Sequence, residues 1–254
     1  MGRTGFSALL DGLFGETCPS CFGRTAAGFC AGCAAELPRI AGACRACGLA
    51  HSAGTCPALA AEWRVARVLA PFSYAAPLDR FVRALKYHGA RELGRAFGLL
   101  LAAEAHREPP AAEALVPVPL HPHRLRERGY NQATEIARTL GEELAVPVLV
   151  GGVHRLREAV QQAGQSAGRR RANVAAAFAA RRDLRGRAIA IIDDVITTGA
   201  TVNALAAALL AAGAGSCEAW AIARTPPHHS STGARTPTGE ARPAAPGYSN
   251  AAAT

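Results

Sequence analysis

Residues 188 to 203, AIAIIDDVITTGATVN, carry an apolar run into two adjacent acids and then into a small, hydroxyl-rich turn that opens a helix. Residues 188 to 192 are all apolar, the pattern of a strand buried on both faces of a parallel sheet. Asp193 and Asp194 then fall at its carboxyl end, the edge of an open α/β sheet at which ligands bind. Thr197, Thr198, Gly199, Ala200 and Thr201 offer backbone N–H groups, hydroxyls and a glycine that lets an anion approach, all at a positive helix end. Such a turn suits a phosphate. Two carboxylates beside it would repel that phosphate, so they require hydroxyl donors or a divalent cation between them and the ligand. A ribose 5-phosphate meets both demands. The same letters also suit an N-capped helix behind a core strand, with Asp194 or Thr198 as the cap, although a cap uses only one such residue.

Around this stretch, composition sets the limits. The chain has 254 residues, half of them hydrophobic, enough for one medium domain and a small one. No apolar run reaches the length of a membrane span, and the first residues lack the charge order of a signal peptide, so a cytoplasmic location is expected. The net charge of +9 is uneven. Residues 1 to 62 balance four Arg with four acids, whereas residues 63 to 224 hold 22 Arg plus Lys against 14 acids. Within the latter, residues 155 to 187 carry nine Arg and two acids. That surplus fits a polyanionic partner such as pyrophosphate or nucleic acid, and equally a solvated basic face. Lys86 is the only lysine of the chain.

Seven of the eight cysteines fall between residues 18 and 56. Cys18, Cys21, Cys30 and Cys33 form C-x2-C-x8-C-x2-C, and Cys44, Cys47 and Cys56 repeat the spacing 26 residues later, with Leu59 in the fourth place. A disulfide framework competes, but paired C-x2-C knuckles without a secretion signal point to zinc ribbons. The first set makes a closed, structural Zn²⁺ site; the second is degenerate, an empty or weak site unless His51 joins its three thiolates. A zinc-ribbon module over residues 1–62 is therefore expected ahead of an α/β domain over 63–224. The remainder, 225–254, is rich in proline and poor in large apolar residues and reads as a disordered tail.

Within the α/β part, residues 63 to 72 read as a strand, and 77 to 87 as a helix with Leu78, Phe81, Val82 and Leu85 on one face. Residues 91 to 107 give a second helix, and 114 to 120, ALVPVPL, a strand that its prolines turn into a loop. HPHRLRERGYN follows as a basic loop with Arg124, Arg126 and Arg128, before a helix from about 131 to 144 capped near Asn131. Arginines there suit a second anion beside the first. Residues 201 to 210 read as a helix and 219 to 223 as a last strand.

The order of ribbons, VPVPL, R-x-R-x-R-G-Y-N-Q and IIDDVITTGAT resembles the ComF family, a double zinc ribbon fused to a type I phosphoribosyltransferase domain. Arg155, Arg157, Gln162, Gly164, Ser166, Arg170, Asn173 and Phe178 fit a further block of that family, in which Ala159 and Gln165 depart from the pattern. The resemblance implies a mostly parallel sheet flanked by helices. It implies that Asp193 and Asp194 hold the ribose hydroxyls of phosphoribosyl pyrophosphate (PRPP) and that residues 197 to 201 hold its 5-phosphate. It also implies a pyrophosphate loop at Val116, Pro117, Val118 and Pro119. Residues 155 to 173 would form a mobile hood that excludes water from the reacting centre. Further anion contacts fall on Arg124, Arg128, Arg155, Arg157 and Arg170, and Mg²⁺ would arrive with PRPP. Family members are implicated in handling single-stranded DNA in natural competence, which makes such DNA and competence proteins expected partners. Three readings stay open: a phosphoribosyltransferase, a PRPP- or nucleic-acid-binding module without turnover, and a scaffold whose ribbon contacts a partner. Few aromatic residues interleave with the arginines in sequence, which favours phosphate contacts over base contacts.

Overall fold

The computed structural model describes residues 17–51, 56–107, 111–151, 153–155, 178–180 and 184–226. Its centre is β6 (Ala188–Ile196), which pairs in parallel with β7 (Ser216–Arg224) on one side and with β3 (Ala114–Pro117) on the other. β1 (Arg67–Leu69) and β2 (Phe72–Ser73) follow one another along the outer flank of β7, also in parallel. The strand expected over 63 to 72 is thus two short ones. Pro71 has no N–H to give the ladder, and the pairing breaks there.

β6 alternates between two cores, as a strand covered on both faces must. Ala190 and Ile192 face α2 (Leu78–Tyr87), α3 (Glu92–Arg107) and α5 (Gln132–Leu144), while Ile189 and Ile191 face α6 (Ala200–Ala211). The strand also runs four residues further than the sequence suggested. Val195 and Ile196 are apolar, buried and paired with Ala223 and Arg224, so the acids lie inside the ladder and the turn begins only at Thr197. α3 and α5 cross closely because Gly94 and Gly98 stand at the contact. A Cβ there would lie 2.5 Å from that of Glu135 and 2.6 Å from that of Thr139.

The basic segment after β3 is a short helix, α4 (Pro122–Arg128), and not the loop expected. Its signals were present in the sequence: proline in the first turn, and Gly129 in the left-handed conformation as the stop. α5 starts as expected, with the Asn131 side chain accepting from Ala133 N–H at 3.1 Å. β4 (Val153–Arg155) and β5 (Phe178–Ala180) form an antiparallel pair. The chain between them, which holds Arg157 and Arg170 and most of the expected hood, lies outside the described residues, as does the tail from 227.

The cysteine-rich segment, which contains the short helix α1 (Ala31–Ala35), shares the main core. Phe29, almost wholly buried, meets Phe81 edge-on with centroids 5.2 Å apart and stacks on Phe97 at 6.3 Å; Cys18 and Leu37 join the same cluster. Aromatic burial of this kind dominates core energetics. Replacing Phe29 by Ala is expected to cost about 3–5 kcal/mol. Urea unfolding followed by both tryptophan fluorescence and circular dichroism should show one transition at lower denaturant, since ribbon and sheet share that core.

Candidate functional site

Asp194 is buried and its Oδ1 lies 2.9 Å from Nζ of Lys86, in the last turn of α2. Asp193 is half-buried, and its Oδ1 accepts from the N–H of Asp194 at 2.9 Å. Burial would pull the Lys86 pKa down, but the carboxylate of Asp194, with Asp193 behind it, outweighs this and raises it. The ammonium is therefore charged at neutral pH, and its ion pair is lost only in the alkaline range above the ordinary lysine value. One of the two acids is neutralised by the protein itself. The repulsion that two carboxylates would exert on an incoming phosphate is roughly halved.

The turn after β6 is built at the start of α6. Gly199 caps the helix with φ of 83°, and the Thr198 hydroxyl accepts from Ala200 N–H at 3.3 Å. Thr197, Thr198 and Ala200 are exposed, while Thr201 is half-buried in the first turn. Gly199 has a second constraint. A Cβ on it would stand 2.8 Å from Cη2 of Trp63, so the indole packs on the side where the sequence suggested an open approach for an anion. Asn203, one turn on, accepts from Arg64 N–H at 2.6 Å and donates to the Glu62 carbonyl at 3.0 Å, fixing residues 62 to 64 beside the turn. Beneath lies Arg224, only 1% exposed. Its Nε donates to the Cys47 carbonyl and its Nη1 to the Ile196 carbonyl, both at 2.9 Å.

The VPVPL segment runs beside the acids. Val118 N–H donates to the Ile192 carbonyl at 2.8 Å, and Asn131 Nδ2 donates to the Val118 carbonyl at 2.9 Å. Val116 and Pro117 are buried residues of β3, so of the four residues expected in a loop only Val118 and Pro119 stand beyond the strand. Arg124 and Arg128, on α4, line a cavity with Lys86 and Tyr87. Arg155 is placed in β4, which pairs with β5 in a separate two-stranded sheet.

Both cysteine groups converge. The ligand atoms of Cys18, Cys21, Cys30 and Cys33 lie within 4.8 Å of one another, and so do those of Cys44, Cys47, His51 and Cys56. Cys21 and Cys30 sulfurs are 3.7 Å apart and Cys44 and Cys56 sulfurs 3.8 Å, close to the edge of about 3.8 Å that a tetrahedron of Zn–S bonds requires. His51 Nε2, 3.3 Å from Cys47 Sγ, supplies the donor that Leu59 does not, and the second group is complete in number. Burial alone would raise Cys18 and Cys44, but backbone N–H groups of the knuckles aimed at their sulfurs take both down to about 6. Donor type, number and spacing all fit zinc in both groups.

No family model matches the chain. Curated proteins do: Competence protein F of Haemophilus influenzae is 30% identical over 210 residues, covering 78% of this chain and 90% of that one. The chain belongs to the ComF family. DNA utilization protein YhgH of Escherichia coli K12 and of Salmonella typhi, each 31% identical over 208 residues, covers 78% of the ComF chain at 91% of its own length. Among solved structures, a glutamine PRPP amidotransferase from B. subtilis, complexed with ADP and GMP, aligns with a TM-score of 0.40 and 18% identity. That alignment spans 54% of this chain and 30% of the other.

This ComF protein thus joins a cysteine-rich segment with two four-donor groups that fit zinc to a mostly parallel sheet flanked by helices. Its site contains residues that the motif alone did not reveal. Lys86 was marked only by being the one lysine, and Trp63, Asn203 and Arg224 by nothing local. Tyr87 lies with Arg128 over its ring at 5.0 Å, an aromatic–arginine pairing hidden by 41 residues of separation. A double-mutant cycle tests the packing of the turn. Gly199→Ala should lose at least about 1–2 kcal/mol of stability for its positive φ alone, and more for the clash with Trp63. Trp63→Ala removes the clash, so thermal unfolding should show the double variant less destabilised than the sum of the singles.

Proposed function

We propose that this ComF protein binds PRPP at the acid pair and the turn that follows it. The observation that carries the reading is Asp194 paired to Lys86 at the mouth of a glycine-capped helix start on the central strand. Asp193 and Asp194 take the ribose hydroxyls, and Thr197, Thr198, Gly199, Ala200 and Thr201 take the 5-phosphate. Val118 and Pro119, held by Asn131, border the pyrophosphate. Mg²⁺ enters bound to that pyrophosphate, keeping several waters and few protein ligands. Zinc in both cysteine groups is structural, with no coordination position left for chemistry. The relatives' names, Competence protein F and DNA utilization protein, support a role for such binding in competence and DNA utilization. A second reading, binding without turnover, is favoured by one observation: the excess of arginine over acids in residues 63 to 224.

Calorimetric titration of PRPP should show binding that requires magnesium. Asp193→Asn and Asp194→Asn should each weaken it by about tenfold or more, as hydrogen bonds to charged acceptors contribute about 1.5–3 kcal/mol. Lys86→Met should also weaken it, by restoring full repulsion from Asp194. Wild type and variants binding alike, or none binding, would overturn the assignment. Turnover is read separately, as pyrophosphate release across a panel of bases and amines. For the metal sites, protein purified without chelator should carry about two zinc ions per chain and His51→Ala about one. A single zinc in the wild type would remove the second site.

A further inference from the structure

Two donors of the second cysteine group lead to the turn at 197 to 201 by separate routes. The first starts at Cys47. Its carbonyl accepts from Nε of Arg224 at 2.9 Å, and Nη1 of the same guanidinium reaches the Ile196 carbonyl, the last before the turn, also at 2.9 Å. Nη2 then lies 3.9 Å from where a Cβ on Gly199 would stand. The knuckle reaches Arg224 because it is seated on β1: Val68 N–H donates to the Arg45 carbonyl at 2.8 Å, and a Cβ on Gly48 would stand only 2.7 Å from Cγ1 of Val68. The second route starts at Cys56, whose carbonyl accepts from Leu59 N–H at 3.0 Å in a single turn of helix (Pro57–Leu59). Trp63 N–H donates to the Ala60 carbonyl at 3.0 Å, and the indole closes on Gly199. The first cysteine group leads elsewhere, with Gly28 packed on Ala96 of α3 and Phe29 on Phe81 and Phe97.

A metal held by Cys44, Cys47, His51 and Cys56 together locks the Cys47 and Cys56 segments to one another. With them it locks both supports of the turn, Arg224 and Trp63. Arg224 is only 1% exposed, and a buried donor whose acceptor moves away is costly to leave unmatched, so the position of the Cys47 carbonyl is transmitted to the end of β6. We infer that metal in this second group sets the shape of the turn at 197 to 201, with Arg224 and Trp63 as the positioning residues that carry the effect. Its consequence for affinity rests on the phosphoribosyl reading: PRPP and the second zinc bind with positive coupling, each raising the affinity of the other by the same factor. The positioning itself does not rest on that reading.

Hydrogen exchange read by mass spectrometry tests it on the full-length protein with zinc in both groups and on His51→Ala, which keeps only the first group loaded. Amides of 196 to 206 should exchange about fivefold or more faster in His51→Ala, while those of α3 change by less than about twofold. Wild type stripped of its second zinc by a mild chelator should match the variant. Arg224→Lys keeps a charge but cannot span both carbonyls, and Trp63→Leu withdraws the indole from Gly199. In either background, at saturating zinc, adding His51→Ala should change the exchange of 196 to 206 less than it does in wild type. Unchanged exchange in 196 to 206 would overturn the inference. So would an equal rise in α3, which marks general loosening instead of a local route. In calorimetry with magnesium, His51→Ala should bind PRPP about fivefold or more weakly than wild type, and equal affinity would also overturn the inference. If PRPP binds neither form while exchange responds as stated, the phosphoribosyl reading falls and the positioning role stands.

Discussion

Arg224 ends the last strand with its guanidinium almost wholly out of solvent, donating to a carbonyl of the second cysteine knuckle and to the final carbonyl of β6. A buried cation costs several kcal/mol unless its hydrogen bonds are met, so both acceptors must be in place together. Cys47 and Ile196 are far apart in sequence, yet one planar group sets the distance between them. The same Ile196 carbonyl also accepts from Thr225 N–H at 3.0 Å, which fixes the end of β6 just before the turn begins. Burial draws the Arg224 pKa down, and a charge on Cys47 draws it up. Three thiolates and one imidazole around a divalent ion carry a net charge of minus one. With zinc bound, that charge would sit where Arg224 needs a counter-charge, and the second cysteine group and the end of β6 would support each other electrostatically as well as by the hydrogen bonds of Arg224.

A related balance governs the acids. Two carboxylates in succession on a buried strand would make an unfavourable site for a polyanion, and arginine could have answered one of them. Lysine does so instead. Its compact ammonium meets one oxygen of Asp194 at 2.9 Å, whereas a guanidinium fork would favour bidentate capture of the whole carboxylate. A chain that otherwise uses arginine throughout keeps its one lysine at this position.

Much of this was legible in the sequence, and for stated reasons. β6, α2, α3, α5 and α6 are long enough for periodicity to show, and the cysteine spacing dictates two clusters whatever lies between. The boundary of β6 was not legible, because two acids inside a strand look like its end until the pairing of Val195 and Ile196 with β7 is seen. α4 was hidden because seven residues give barely two turns, too few for an apolar stripe, and its charge resembles a loop. His51 could be named as a candidate but not placed, since ligand convergence depends on how the intervening loop folds. Trp63 on Gly199, Asn203 on the 62–64 segment and Arg224 on Cys47 are contacts between distant parts of the chain, and no local pattern encodes them.

Lys86 and Tyr87 are consecutive, yet their side chains meet opposite surroundings. Successive residues near a helix end point about 100° apart, so one side chain reaches inward to Asp194 while the next stands in solvent beside Arg128. The end of α2 is held for this by Tyr130, whose hydroxyl donates to the Leu85 carbonyl, one of those a helix terminus leaves without an intrahelical partner. Arg91 lies over the Tyr130 ring at 5.1 Å and pairs with Glu135 of α5 at 2.9 Å, so the helix end is tied to the same helix that Asn131 caps beside Val118.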